Sequence, residues 1–359
     1  MKPNSALTAE EIRLRRLAKQ HLLAPTLEDP AAVVSAMGAM QAQEYPMALW
    51  AVGLRTRQAC ESSVRAAIDT GRIVRLHALR PTWHFVAAKD VRMVLQVTAP
   101  RVHQANASYY RRLGLDRARL DRFMRTVDQL LSGGKALTRK EIRQACPPDL
   151  VEGTAVTMAY LMMYAELEGV VCSGPHRGSQ GTYALLEERV PGTAPMSDEE
   201  ALAQFVRRYL STRGPATLVD LTTWSGLTLA QARTALDLLG GEVTTLETGG
   251  QAYHLVGDQD VGATGRTSFL MPDYDEYGMA YQDRSAIAHP SEGYWLPWNR
   301  PIVIDGVIAG AWRRTLGAGS VTVETQLFDI AADDPRVVAA AEEYAMFLGK
   351  ELDLQPASG

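Results

Sequence analysis

The chain predicts an α+β fold, with three tandem winged helix-turn-helix units followed by a smaller β-rich domain. Three observations lead there. Helix-start signals, short helices and a pair of strand-like runs recur three times in the same order. The recurrences are unequally spaced, which marks an array of domains and not a solenoid. Beyond Arg266 the texture changes to short alternating runs punctuated by Gly and Pro. A length of 359 residues suits two to three ordinary domains with ample core, and the pattern divides it at 1–115, 116–195, 196–262 and 263–359.

In the first unit, Thr8-Ala9-Glu10-Glu11 is a capping box, in which the Thr hydroxyl and the Glu carboxylate satisfy opposed backbone N–H groups. A helix follows to about Leu23, with Leu14, Leu17, Ala18 and Leu22 on one face, and Pro25 stops it. Asp29-Pro30 opens a second helix with Pro at its first position. That helix leads into Met40-Gln41-Ala42-Gln43-Glu44-Tyr45-Pro46. Helices are expected over 47–55 and 62–70, then strands over 72–78 and 82–87 that turn at Arg80-Pro81. Arginine-rich helices over 90–110 and 116–131 connect to the second unit. There Thr138 to Glu141 is another capping box, a helix spans 154–168, and strands over 170–173 and 182–186 flank a wing tip that carries Arg177. The third unit starts at the Ser197 to Glu200 box. Its helices cover 217–224 and 228–239, and its strands cover 242–246 and 252–256 around Gly249-Gly250. The last region offers strands over 302–304, 307–312 and 321–328 and a helix over 335–348, with a tail expected to fray from Gln355.

Composition restricts the function. Hydrophobic residues make up 46% and charged residues 22%, ordinary for a soluble globular protein. Cys60, Cys146 and Cys172 are far apart, with no CxxC and no Cys/His zinc spacing, so no disulfide framework or metal is expected. No apolar run is long enough for a membrane span and no signal core precedes Glu10, which suits a bacterial cytoplasm. Residues 1–150 hold 24 Lys and Arg against 13 Asp and Glu, whereas residues 151–359 hold 13 against 28. A basic half on an acidic remainder suits a polyanion on one face; solvated charge that merely differs between domains is the plainer alternative.

Gln41 and Gln43 are the centre of the functional reading. In extended backbone they project to the same side, and each offers an amide acceptor and a two-proton donor. The competing reading is a polar helix end bonded to its own backbone. Arg75 and Arg80, on the first wing, suit phosphate contact, as does Arg177. His77 and His84 flank the Arg80-Pro81 turn and either reach DNA or are structural; Trp83 is either hairpin core or a stacking platform. Asp273, Asp275, Glu276 and Asp283 form a carboxylate cluster that suits a metal, acid/base chemistry, or a structural network with Arg284.

Four stretches together resemble a known family: Met40 to Gln43; Arg75-Leu76-His77-Ala78-Leu79-Arg80-Pro81-Thr82-Trp83-His84-Phe85-Val86; Leu270 to Tyr277 with Asp283-Arg284; and Ile304 to Arg314. Across nearly the whole chain the sequence is similar to the winged-helix DNA glycosylases of the AlkZ/YcaQ type. The resemblance implies three tandem winged helices with a C-terminal β-barrel-like domain. It puts the catalytic Gln-x-Gln on Gln41 and Gln43; in the YcaQ branch the second Gln is Asp, so the chain looks like the AlkZ branch. That branch implies removal of bulky N7-alkylated purines, interstrand crosslinks made by antibiotics included, and a place in antibiotic self-resistance. Candidate DNA contacts are Arg55, Arg75, His77, Arg80, His84, Arg177, Arg284 and Arg313.

The chemistry is consistent with amides. Gln takes no proton at useful pH, but an N7-alkylpurine is already cationic and leaves as a neutral base. What remains is to hold a water at C1′ and orient dipoles toward an oxocarbenium-like sugar. The nearest lysines in sequence are Lys19 and Lys89, which gives no support to a Schiff-base lyase. The expectation is a monofunctional, cofactor-free hydrolase acting on double-stranded DNA as a monomer through an open cleft. A winged-helix transcription regulator is the rival, though no dimerisation coiled coil is visible.

Overall fold

Helices begin where the sequence places their caps. The computed structural model describes residues 7–190, 192, 194–257, 265–289, 300–331 and 333–356. Helix α1 (Ala9–Lys19) opens on the reciprocal Thr8–Glu11 box, and α2 (Pro30–Met37) on the Asp29 side chain. Strand β1 (Met40–Gln41) follows, then α3 (Tyr45–Gly53), α4 (Glu61–Asp69) and the hairpin β2 (Ile73–His77) and β3 (Trp83–Ala87). Next come α5 (Val91–Arg112), α6 (Arg117–Leu131), α7 (Arg139–Ala145), α8 (Ala155–Leu167), the hairpin β4 (Val171–Ser173) and β5 (Tyr183–Leu185), and α9 (Leu186–Arg189). A third set holds α10 (Asp198–Arg213), α11 (Leu218–Ser225), α12 (Leu229–Leu239), β6 (Val243–Thr248) and β7 (Gln251–Val256). The C-terminal part contains β8 (Ser268–Leu270), α13 (Glu276–Met279), β9 (Pro301–Ile304), β10 (Val307–Leu316), β11 (Ser320–Leu327), α14 (Pro335–Leu348) and β12 (Glu351–Pro356).

Strand pairing corrects the sequence reading in two places. The 40–41 segment is a strand that pairs antiparallel with β3, Met40 opposite Phe85 and Gln41 opposite His84, so the first hairpin becomes a three-stranded sheet in the order β1-β3-β2. The tail does not fray at Gln355: β12 pairs parallel with β11, Gln355 opposite Glu324 and Pro356 opposite Thr325. Gly349, at φ +65°, ends α14 in the left-handed conformation, and alternating Leu352 and Leu354 then pack against the core. The C-terminal sheet runs β12-β11-β10-β9-β8, and closure into a barrel is not among the pairings of the described residues.

The cores do not follow chain order. The first region shares one core with the C-terminal part, in which Trp50 packs against Tyr344 and Phe347. A second core joins Val74, Leu76 and Val86 to α10, α11 and α12. Period-two alternation explains how one small sheet serves both. Met40 and Phe85 face the first core, whereas Gln41 and His84, opposite one another, lie on the other face with Leu76.

Candidate active site

Gly38 makes the turn that delivers the glutamines. It ends α2 at φ +75°, a conformation open to glycine at little cost. The flanking carbonyls, Met37 O and Ala39 O, accept from Arg213 Nη1 (2.7 Å) and Nη2 (2.8 Å) at the end of α10. Arg213 is fully buried and also donates from Nε (3.0 Å) and Nη2 (2.7 Å) to Glu276 Oε2, which accepts from Trp224 Nε1 at 2.9 Å. The other Glu276 oxygen, Oε1, accepts from the Gln41 backbone N–H at 2.8 Å. A buried arginine–carboxylate pair thus fixes the backbone on both sides of Gly38 and at Gln41 itself.

The two glutamines differ in environment. Gln41 is 7% exposed, and its Oε1 accepts from Arg80 Nη2 at 3.2 Å. Gln43 is exposed. The strand edge between them is tied down by Ala42 N–H donating to Trp83 O (2.7 Å) and by Arg75, whose Nε donates to Ala42 O (2.9 Å) and Nη2 to Gln43 O (3.3 Å). Arg75 lies over the Trp83 ring at 4.2 Å, and the His77 ring lies 4.5 Å from Trp83. Trp83 is therefore part of the hairpin packing. Burial lowers the Arg75 pKa, with Glu166 as the main opposing charge.

His84 is fully buried beside Gln41. Its Nδ1–H donates to Thr82 O at 3.0 Å, and burial together with the Arg80 charge pushes its pKa well below the usual histidine range. It is a neutral imidazole whose Nε2 has no hydrogen-bond partner among the described residues. His77 is also buried, with Nδ1 against the Glu166 carboxylate of α8.

The structure gathers Gln41, Gln43, Arg75, His77, Arg80 and His84 around the hairpin-turn end of the three-stranded sheet and leaves Arg55, Arg177, Arg284 and Arg313 elsewhere. Arg55 is not available to a phosphate: it is fully buried, paired with Asp275 through two 2.8 Å hydrogen bonds and bonded to Gln20 Oε1. Arg177, on the second hairpin turn, is half exposed and pairs with Glu141. Arg313 is exposed and pairs across strands with Glu324, and Arg284 Nε donates to Gly278 O at 2.7 Å. The carboxylate cluster is dispersed: Asp275 serves Arg55, Glu276 serves Arg213, Asp273 serves Arg300, and Asp283 caps Ser285 N–H. The arginines of that network are thus Arg55, Arg213 and Arg300. Among the described residues no group of three His, Cys, Asp or Glu is placed to hold a metal ion. Lys19 Nζ donates to Val256 O and Gly257 O.

Sequence reasoning left Glu276 without a role and did not single out Arg213 or Trp224. Nothing local marks them: Glu276 meets Gln41 across 235 positions.

The model of the AlkZ-like DNA glycosylases matches residues 34–347, most of the chain. The chain belongs to that family. As an AlkZ-like protein it is a DNA glycosylase, and the regulator reading is not favoured. It is similar to an interstrand DNA cross-link repair glycosylase of Streptomyces sahachiroi, 24% identical over 323 residues that span 83% of this chain and 85% of the relative. The solved structure of the S. sahachiroi DNA glycosylase AlkZ shares the fold, with a TM-score of 0.78 at 21% identity over 98% of this chain and 100% of that one. No helix among the described residues is long and apolar enough to cross a membrane.

Proposed function

We propose that this AlkZ-like glycosylase hydrolyses the N-glycosidic bond of N7-alkylated, cationic purines in duplex DNA, interstrand crosslinks included. Gln41 and Gln43 hold the water and face the sugar. The observation that carries the reading is the pair itself: one amide fixed beside an arginine, the next exposed in the bend just past β1. Beside Gln41, His84 is buried with its pKa pushed well below the usual histidine range, and the two Glu276 oxygens are occupied by four donors. A leaving group that carries its own positive charge needs neither group as acid or base. Glu44, an exposed carboxylate that does not cap α3, places a negative charge one residue from Gln43 and so favours a cation there. Hydrolysis without a lyase step is part of the same reading, in which Lys19 is engaged by the Val256 and Gly257 carbonyls.

The three helix-and-hairpin sets are read as winged helices, the first carrying the chemistry in an open cleft of a monomer, in a cytoplasmic, nucleoid-associated enzyme. Residues 196–262 hold 4 Lys and Arg against 9 Asp and Glu, so the third set suits a brace better than a phosphate-binding surface.

The test is base release from 7-methylguanine duplex and from a crosslinked duplex, read by alkaline cleavage at abasic sites. Gln41→Ala and Gln43→Ala should each lower release about 10²-fold to 10³-fold, the loss typical of one aligned dipole at a developing charge. Undiminished release from both variants refutes the assignment. No release by the wild-type protein from any alkylated duplex refutes the substrate class.

A further inference from the structure

We infer that Arg80 is a positioning residue for this reaction, setting which way the Gln41 carboxamide faces; the inference rests on the base-excision reading above. The contact is Arg80 Nη2 to Gln41 Oε1 at 3.2 Å. A guanidinium has only donors, so the amide orientation follows from chemistry: oxygen toward Arg80, NH2 away from it. One lone pair of the Gln41 oxygen remains for a water, and the charge beside it strengthens the amide dipole. The exposed Gln43 side chain has no hydrogen-bond partner of this kind among the described residues. The two glutamines are therefore unequal, Gln41 preset and Gln43 free to turn toward the lesion.

The backbone gives a second reason. Arg80 sits at φ +54°, a left-handed conformation disfavoured for residues with a side chain and well suited to glycine. An arginine held there is strained locally, so its value lies in what its side chain reaches. That side chain is half-buried between the sheet and the end of α11, where a Cβ on Gly226 would lie 3.9 Å from Arg80 Cγ. The cross-strand partner of Gln41, His84, is buried with its pKa pushed down, and Arg80 is the cation that hydrogen-bonds the amide. Such a placement suits orientation of Gln41 better than a phosphate contact, which needs an exposed guanidinium.

The experiment compares Arg80→Gly, Arg80→Lys, Gln41→Ala and the Arg80→Gly/Gln41→Ala double variant on 7-methylguanine duplex. Glycine suits the φ of position 80, so Arg80→Gly removes the guanidinium without imposing backbone strain. Its single-turnover rate at saturating duplex should fall about tenfold to hundredfold, with the duplex Kd and its salt slope unchanged. Arg80→Lys should recover part of the loss, and the double variant should be no slower than Gln41→Ala. A readout independent of turnover is the Gln41 side-chain NH2 signal in 15N-glutamine-labelled protein, assigned by its loss in Gln41→Ala. It should be resolved from the solvent-exposed amides in the wild-type protein and move in among them in Arg80→Gly.

Three results overturn the inference: a weaker Kd with a shallower salt slope at an unchanged saturated rate, which makes Arg80 a phosphate contact; losses that multiply in the double variant; or a Gln41 amide signal indifferent to Arg80→Gly. A wild-type protein that releases no base defeats the base-excision reading alone, and the amide signal still decides the contact.

Discussion

Replacing Glu276 with glutamine should uncouple the strand that carries Gln41 from its support while keeping the shape of the side chain. Oε2 receives three donors, Arg213 Nε, Arg213 Nη2 and Trp224 Nε1, and Oε1 receives one, the Gln41 N–H. A glutamine keeps its oxygen toward the three donors, so its NH2 turns toward the Gln41 N–H, donor against donor. One buried backbone hydrogen bond is lost, worth about 1–3 kcal/mol. Arg213 also loses its counter-charge, and breaking a buried pair from one side costs about 3–5 kcal/mol. Arg213 keeps its bonds to Met37 O, Ala39 O and Thr212 Oγ, which places the combined loss near the low end, about 4 kcal/mol. With unfolding entropy of about 2.1 cal/mol/K per residue, 359 residues give about 0.75 kcal/mol/K, so a chain melting as one unit should lose about 5 °C in Tm. Thermal unfolding and single-turnover release are the assays, and the rate should fall along with the Tm because the Gln41 backbone is released. A variant that melts within about 1 °C of wild type and keeps its full rate would refute the reasoning.

Other outcomes follow from the same interior. Arg55→Met should destabilise the protein by about 3–5 kcal/mol, because Asp275 is left buried and unpaired. The salt slope of duplex binding should not change; a shallower slope would return Arg55 to the phosphate contacts. His21, His84 and His254 all have pKa values lowered mainly by burial. The unfolded chain takes up protons at these positions as pH falls through about 6.5 while the folded chain does not, so stability should decline with acidification, by up to about 1.4 kcal/mol per pH unit for each histidine kept neutral. Urea unfolding at neutral and mildly acidic pH measures this, and His84→Gln should lose less on acidification than wild type. Equal losses would show that His84 is protonated in the fold.

Much of the architecture is legible in the sequence because its signals are local. Thr8, Asp29, Thr138 and Ser197 cap helices where expected, through side-chain oxygens that meet backbone N–H groups two or three residues on. At Gln41 the sequence left extended backbone and a polar helix end both open, and the fold takes the first. Its pairing with β3 was not legible, because a two-residue strand has no periodicity to read. The site divides along the same line. Gln41, Gln43, Arg75 and Arg80 lie within 39 positions of one another, and the hairpin brings Arg75 to the Ala42 and Gln43 carbonyls and Arg80 to the Gln41 amide. Arg55 misleads because an arginine in a basic region looks solvated, and only the fold brings Asp275 across 220 positions to bury it. Arg213 is hidden for the same reason: its partners, Met37 O and Ala39 O, are main-chain atoms that leave no mark on residue type.

The grip of Arg213 on the turn at Gly38 bears on how this molecule changes over time. The segment that ends in α10 steadies the segment that carries Gln41. The smallest competent fragment must therefore reach from α2 to beyond α13, and a deletion that trims the third segment as surplus disables the first. Substitutions at the exposed Gln43 and Glu44 leave that clamp alone, whereas exchange of whole segments between relatives has to carry positions 38, 41, 213, 224 and 276 together.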